Sequence, residues 1–326
     1  MKSAVAVAVT GTGEFEHVLC GLCGADDARR LFRDRDRQLN IEGRFDVVRC
    51  RNCQLVYVNP RPRQDAILRY YSGYRPAGAG GPCPSAKDRR RFRLWLRTIT
   101  GNRLKVALAN MNVPRWFCLE RDTPGAVIDI GCGEGGVLRE LSKQGWETYG
   151  IELDEQAAKR AAEVTPNVFC GQLERASLPS NRFDLAIFHH SLEHLPQPLA
   201  SLREVRRVLK EGGEVLIEVP NLQSPQARVF GQRWVGWDLP RHLYHFSALT
   251  LKQMLEEAGF SDPEVWQAPA PGHFAASLQY LWNDLSGNIR GRLLWNSRIL
   301  RLGFAPVAWT LTRLGWGDCL RARARR

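Results

Sequence analysis

The chain has no stretch of the ~18 to 20 uncharged apolar residues that a helix needs to cross a bilayer. Its nearest approach, between Arg301 and Arg313, has eleven uncharged residues and contains Pro306. The amino terminus, MKSAVAVAVTGTGEFEHV, carries one Lys and too little hydrophobic bulk for a secretory signal. A cytoplasmic protein is expected, with peripheral contact at the inner face of the membrane left open. An even set of cysteines is also missing: there are nine, four of them in two CxxC pairs, which suits metal binding in a reducing compartment better than a disulfide framework. With 44% hydrophobic and 25% charged residues, the composition excludes a largely disordered or collagen-like protein. A length of 326 residues allows two or three compact units.

Charge is unevenly spread. The net charge is +12, yet residues 87–105 alone hold eight basic residues against Asp88, and residues 290–326 hold nine Arg against Asp318, so the remainder is slightly acidic. Two cationic flanks either meet an anionic surface or form solvated faces that aid solubility.

Cys20-Gly-Leu-Cys23 and Cys50-Arg-Asn-Cys53 are separated by 26 residues. The two-residue spacer turns both sulfurs of a pair toward one point, and four thiolates complete a tetrahedral Zn²⁺ with no place left for water. Such a site is structural. The competing reading, a redox CxxC, leaves the second pair unexplained. A metal also accounts for how a ribbon of residues 15–62, following a flexible stretch of residues 1–14, folds with so little apolar surface. The alternating run Gln54–Val58 reads as a strand that stops at Pro60 and Pro62. Residues 63–118 read as a linker rich in Pro and Gly, then a basic helical segment with Phe92, Trp95, Leu96, Ile99 and Val106 on one stripe.

From Ala126 the pattern becomes strand, glycine turn, helix, strand, helix, which predicts a parallel sheet with helices on both faces and a ligand above the carboxyl ends of its strands. The turn Gly131-Cys132-Gly133-Glu134-Gly135-Gly136 satisfies GxGxG and GxGxxG alike. Charge separates the two. Asp129 and Glu134 would crowd a dinucleotide's pyrophosphate, whereas S-adenosylmethionine has no phosphate and carries an ammonium and a sulfonium. Glu152, at the end of the second strand, can accept from both ribose hydroxyls.

These residues resemble class I S-adenosylmethionine-dependent methyltransferases in VIDIGCGEGG (127–136), YGIELD (149–154) and FDLAIFHHSLEHL (183–195), and on through Leu209–Asn221. The segments CGLCG, CRNCQLVYVNPRP and WDLPRHLYHFSALTLKQMLEEAGF look like a bacterial subgroup, methyltransferase type 23-like, with a zinc ribbon ahead of the core. The resemblance implies an α/β, Rossmann-like seven-stranded core over residues 119–326, with a helical insert at 273–317 before an antiparallel last strand near Asp318–Ala324. It also implies that Asp129, Gly131, Gly133 and Gly135 hold the methionine part of the cofactor and Glu152 the ribose. Leu153 would pack on adenine, Gln172 and Leu173 would lie at its edge, and Cys132, Glu134 and His189 count among the expected cofactor-binding residues.

The segment after the fourth strand lacks the Asn/Asp-Pro-Pro-aromatic motif that grips planar amines, so a hydroxyl acceptor is expected ahead of an amine or carbon. Methyl transfer to a hydroxyl needs a base, and His194, His242 and His245 are the candidates. Each also fits a structural role. Arg241 would clamp a phosphate or carboxylate, with Tyr244 beside it. In the insert, Phe274, Leu278, Leu281, Trp282 and Leu285 form a stripe that suits a lid, a dimer face or a membrane interface. The expected partner is a small anionic, sugar- or lipid-linked acceptor. An RNA methyltransferase using the ribbon and Arg-rich flanks, and a non-catalytic scaffold, are the alternatives.

Overall fold

The computed structural model describes residues 13–71, 124–287, 294 and 297–326. The expected linker and basic helical segment of residues 63–118 therefore lies outside the described residues, apart from 63–71, as does nearly all of the stretch 1–14. In the ribbon, β1 (Phe15–Glu16) pairs with β5 (Arg61–Pro62), closing its two ends together. Between them β2 (Ala28–Asp34), β3 (Phe45–Cys50) and β4 (Val56–Val58) run antiparallel. Their inner face buries Phe45, Val47, Val56 and Val58.

The second unit alternates strands and helices. In order come β6 (Ala126–Ile130), α1 (Gly136–Ser142), β7 (Glu147–Glu152), α2 (Glu155–Ala162), β8 (Val168–Cys170) and β9 (Phe183–His189). Then follow α3 (Pro198–Val208), β10 (Leu209–Pro220), α4 (Pro225–Phe230), β11 (Tyr244–His245), α5 (Ala248–Glu257) and β12 (Ser261–Ala268). The chain ends with α6 (Pro271–Ser286), α7 (Arg298–Arg313) and β13 (Cys319–Arg325). Central strands such as β6, AVIDI, are buried along their whole length, as expected for a parallel sheet covered on both faces. Helix starts are fixed by side chains: Asp154 accepts from the Ala157 amide at α2, and Ser247 and Thr250 form a reciprocal capping box at α5.

The seven strands order as β8-β7-β6-β9-β10-β13-β12, with β13 antiparallel to both neighbours. The expected core and antiparallel last strand are both present. The chain reverses its direction of build between β6 and β9, so a crevice opens above their carboxyl ends. The expected insert is the helix pair α6 and α7 between β12 and β13, held by Phe274 stacked on Phe304 at 3.8 Å. No helix among the described residues is long and apolar enough to cross a membrane.

The two units do not part at residue 62. β11 leaves the second unit and adds to β4 as the fourth strand of the ribbon's sheet, and the Val58 amide donates to the Leu243 carbonyl. Ile67–Tyr70 form a short turn of helix whose Tyr70 side chain is fully buried. Asp284 on α6 pairs with Arg35 and Arg37 of the ribbon and with Arg233. Ribbon, core and insert thus share one seam.

Candidate cofactor and acceptor site

The glycine turn joins β6 to α1. Gly131 adopts φ +76°, and a Cβ there would lie 2.6 Å from Cβ of Ser191, so both backbone conformation and close approach require glycine. Gly133, at φ +54°, has open space where a side chain would be. Its amide donates to Oε2 of Glu152 at 2.8 Å, while Oε1 accepts from the Asp154 amide at 2.8 Å. Two fixed donors therefore hold the Glu152 carboxylate at the rim of the crevice, and each oxygen keeps a lone pair for a ribose hydroxyl.

Asp129 lies beneath this turn, 1% exposed, and its Oδ1 has no hydrogen-bond partner. Burial, reinforced by the nearby Glu152 charge, pushes its carboxyl up to about 7. A buried carboxyl without a partner carries a desolvation cost that an ammonium group would offset. The residues present thus fit the methionine end of S-adenosylmethionine, and they would repel a pyrophosphate.

The predicted cofactor residues do not all face this crevice. Leu153 is 43% exposed beside Glu152 and free to cover a flat ring, and Gln172 stands at the start of a short helical turn. Cys132 is buried against the Gly150 position, where a Cβ would meet its sulfur at 2.7 Å. His189, at the end of β9, has Nε2 3.8 Å from Glu218. One expectation is corrected: the Glu134 side chain is exposed and pairs with Arg160 of α2 at 3.0 Å. Leu173 follows Gln172 in that turn, its side chain buried in the core.

The proposed acceptor residues form the seam with the ribbon. Arg241 is fully buried, and its guanidinium donates to Asp36, Asp238 and the Tyr70 carbonyl. A substrate clamp needs access, so this Arg joins ribbon to core instead. Replacing it by Ala leaves Asp36 and Asp238 buried without their partner and is expected to cost about 3–5 kcal/mol. A lower denaturant midpoint with unchanged cofactor affinity of the folded protein would check this. The Tyr244 hydroxyl accepts from Arg61 and donates to the Pro196 carbonyl, and a Cβ on Gly21 would meet that hydroxyl at 2.7 Å. It docks the first zinc knuckle rather than a substrate.

The three histidines share that seam. The His194 and His242 rings meet edge to face at 4.6 Å, and Nδ1 of His242 lies 2.8 Å from the Gly236 carbonyl. Nδ1 of His194 is shared between the Tyr71 hydroxyl and the Arg241 carbonyl. Burial, with the neighbouring His242, lowers His194 to about 4 and His245 to about 3. Bases so weak are poorly matched to a hydroxyl proton near neutrality, so the expected role of His194 and His245 as bases is corrected to a structural one, while His242 is buried and held at the Gly236 carbonyl.

At the carboxyl ends of β9 and β10 and the amino end of the antiparallel β13 the structure gathers His189, His190, Glu193, Glu218 and Arg321 instead. His190 stands 3.5 Å from Glu193 and 3.3 Å from Glu218, and Glu218 also receives Arg321 at 2.5 Å. Both oxygens of Glu193 are buried without hydrogen bonds. The sequence reading missed His190, Glu193 and Glu218, although HHSLEH at a strand end was a visible signal. Arg321 gave none, since only topology brings β13 beside β10.

In the ribbon, Sγ of Cys20 and Cys53 lie 3.4 Å apart and those of Cys23 and Cys50 3.6 Å apart, with all four sulfurs within 4.8 Å of one another. Tetrahedral Zn–S bonds of about 2.3 Å place sulfurs about 3.8 Å apart, so the donor set and spacing fit zinc.

The methyltransferase-domain family profile matches residues 105–265, a span that contains the glycine turn, Glu152 and β9. Residues 105–265 thus carry a methyltransferase domain, and with the strand order above they support a class I S-adenosylmethionine-dependent methyltransferase. The chain is 30% identical over 162 residues to the 2-methyl-6-phytyl-1,4-hydroquinone methyltransferase of Synechocystis sp., which covers 47% of each chain. It is 30% identical over 131 residues to the ubiquinone biosynthesis O-methyltransferase of Pseudomonas aeruginosa, covering 37% of this chain and 56% of that one. The chain spans about half the length of these curated relatives. Among solved structures, a SAM-dependent methyltransferase from Archaeoglobus fulgidus matches at 22% identity and TM-score 0.45, over 72% of this chain and 99% of that one.

Proposed function

We propose that this methyltransferase transfers the methyl group of S-adenosylmethionine to a hydroxyl oxygen of a small, anionic, lipid- or sugar-linked acceptor. The observation that carries the donor half is the buried, unpartnered Asp129 carboxyl beneath the glycine turn, with Glu152 fixed at its rim. When bound, S-adenosylmethionine would supply an electrophilic methyl group on its sulfonium, which the acceptor oxygen would take as the S–CH₃ bond gives way to a neutral thioether and the hydroxyl proton passes to water.

Support for an oxygen acceptor comes from the polar wall of His189, His190, Glu218 and Arg321 and from relatives that carry the name O-methyltransferase. Trp282, Leu285, Trp309, Leu314 and Trp316 are exposed on and beside the insert helices, and Arg313 stacks over Trp309 at 4.3 Å, an arrangement that suits a lipid-bearing substrate at a membrane surface. An RNA acceptor draws less support, because Arg321, Arg323 and Arg325 of the cationic flank are spent on Glu218 and Glu214.

Incubation with methyl-labelled S-adenosylmethionine and fractionated lipid and sugar-phosphate extracts tests the reading. Label should enter an acid-stable, base-stable product as a methyl ether; label confined to RNA, or none transferred despite cofactor binding, counts against it. Trp282→Ser together with Trp309→Ser is expected to reduce co-sedimentation with anionic liposomes several-fold, and unchanged sedimentation would remove the membrane element.

A further inference from the structure

His273, Cys319 and His190 come from three separate elements: the first turn of α6, the first residue of β13, and the residue after β9. One donor atom from each lies within 4.8 Å of the others. Cys319 is 0% exposed and His273 6%, while the His190 side chain keeps 27% of its surface. The cluster is therefore enclosed on two sides and open on the third.

Its surroundings orient it. Nδ1 of His273 lies 2.7 Å from Asp318 Oδ2, which leaves Nε2 as the ring's ligand atom. Asp318 is in turn held by the Ser224 hydroxyl and by Trp234 Nε1 at 3.2 Å. A carboxylate behind an imidazole is the usual arrangement for a metal-binding histidine, because it fixes the tautomer and raises the basicity of the other nitrogen. His190 is held at φ +52°, a backbone conformation that non-glycine residues adopt at a cost and keep where surrounding structure imposes it. Glu193 and Glu218 flank its ring and contribute negative charge favourable to a cation.

We propose that His190, His273 and Cys319 form a second zinc site, distinct from the ribbon, with three protein ligands and a fourth position open on the His190 side toward the acceptor wall. One thiolate and two imidazoles are the donor set that zinc accepts in sites that keep an open position. Ligand atoms in such a site stand about 3.4–3.8 Å apart, so closing around the ion needs side-chain movement of about 1 Å from the separations present. The fourth position would take an oxygen of the acceptor, a hydroxyl or carboxylate; that assignment of the occupant rests on the methyltransferase reading, whereas the metal site does not.

The test is zinc stoichiometry on the full chain, loaded with excess zinc, freed of unbound metal and measured by plasma mass spectrometry. About two zinc per chain are expected in the wild type, one from the ribbon and one here. Cys319→Ala should hold about one, with unchanged circular dichroism. Cobalt-substituted Cys319→Ala should lose about one-fifth of the thiolate-to-cobalt absorbance, one sulfur in five. One zinc per loaded wild-type chain overturns the site, as do two zinc in both wild type and variant. If Cys319→Ala does not fold, His273→Gln gives the same readout, and the wild-type count stands alone. S-adenosylmethionine titrated into the same samples separates the two readings: failure to bind it would remove the methyltransferase reading while leaving the zinc count to decide the site.

Discussion

Asp129→Asn is expected to weaken S-adenosylmethionine binding by at least 30-fold while making the ligand-free protein more stable above neutral pH. The buried carboxyl has no partner for Oδ1, so it contributes binding energy only when a cation arrives. Removing one member of a buried charge pair costs roughly 2–5 kcal/mol of affinity. The stability effect has the opposite sign. The folded-state carboxyl, raised to about 7 from an ordinary 3.8, holds its proton where the unfolded chain has released it. Stability therefore falls as pH rises from about 4 to about 7, by at most about 4 kcal/mol, and is flat above that. Asn escapes this loss. Thermal unfolding should show the variant melting above the wild type at pH 8, with the gap narrowing toward pH 5; a variant less stable at pH 8 would contradict the assignment.

Removing zinc from the ribbon should unfold more than the ribbon. Structural zinc in small domains contributes about 10–16 kcal/mol, as much as the whole stability of a typical domain. Since β11 belongs to the ribbon's sheet and Arg241 to its ion pairs, hydrogen exchange after chelation should rise across β2 to β4 and also in residues 241–245. Transfer activity should fall with it. Exchange that rises in residues 15–62 alone would mean that the seam is not cooperative.

The core was legible because its signals are local. An apolar run at β6, the glycine turn behind it and Glu152 nineteen residues after Gly133 declare a strand, a turn and a second strand without help from distant residues. The four ribbon cysteines were legible for the same reason. What failed depended on partners far along the chain. Arg241 read as a clamp because Asp36, 205 residues earlier, was invisible beside it, although Asp238 three residues before was a warning. Tyr244 and His245 read as site residues because a two-residue strand carries no periodicity of its own. Glu134 read as a pocket acid because its mate Arg160 lies on the next helix. His273 and Cys319 had no signal at all, since only the insertion of α6 and α7 before β13 brings them to the end of β9.

The central claim, that an acidic glycine turn receives a cationic methyl donor, is tested most directly by calorimetric titration of S-adenosylmethionine in buffers of different ionisation enthalpy. The account predicts one site per chain, proton release on binding at pH 6–7 that disappears above pH 8, and affinity about tenfold weaker at pH 6 than at pH 8 as Asp129 takes up its proton. No binding heat, or binding with no proton release at pH 6–7 and an affinity indifferent to pH, would contradict it.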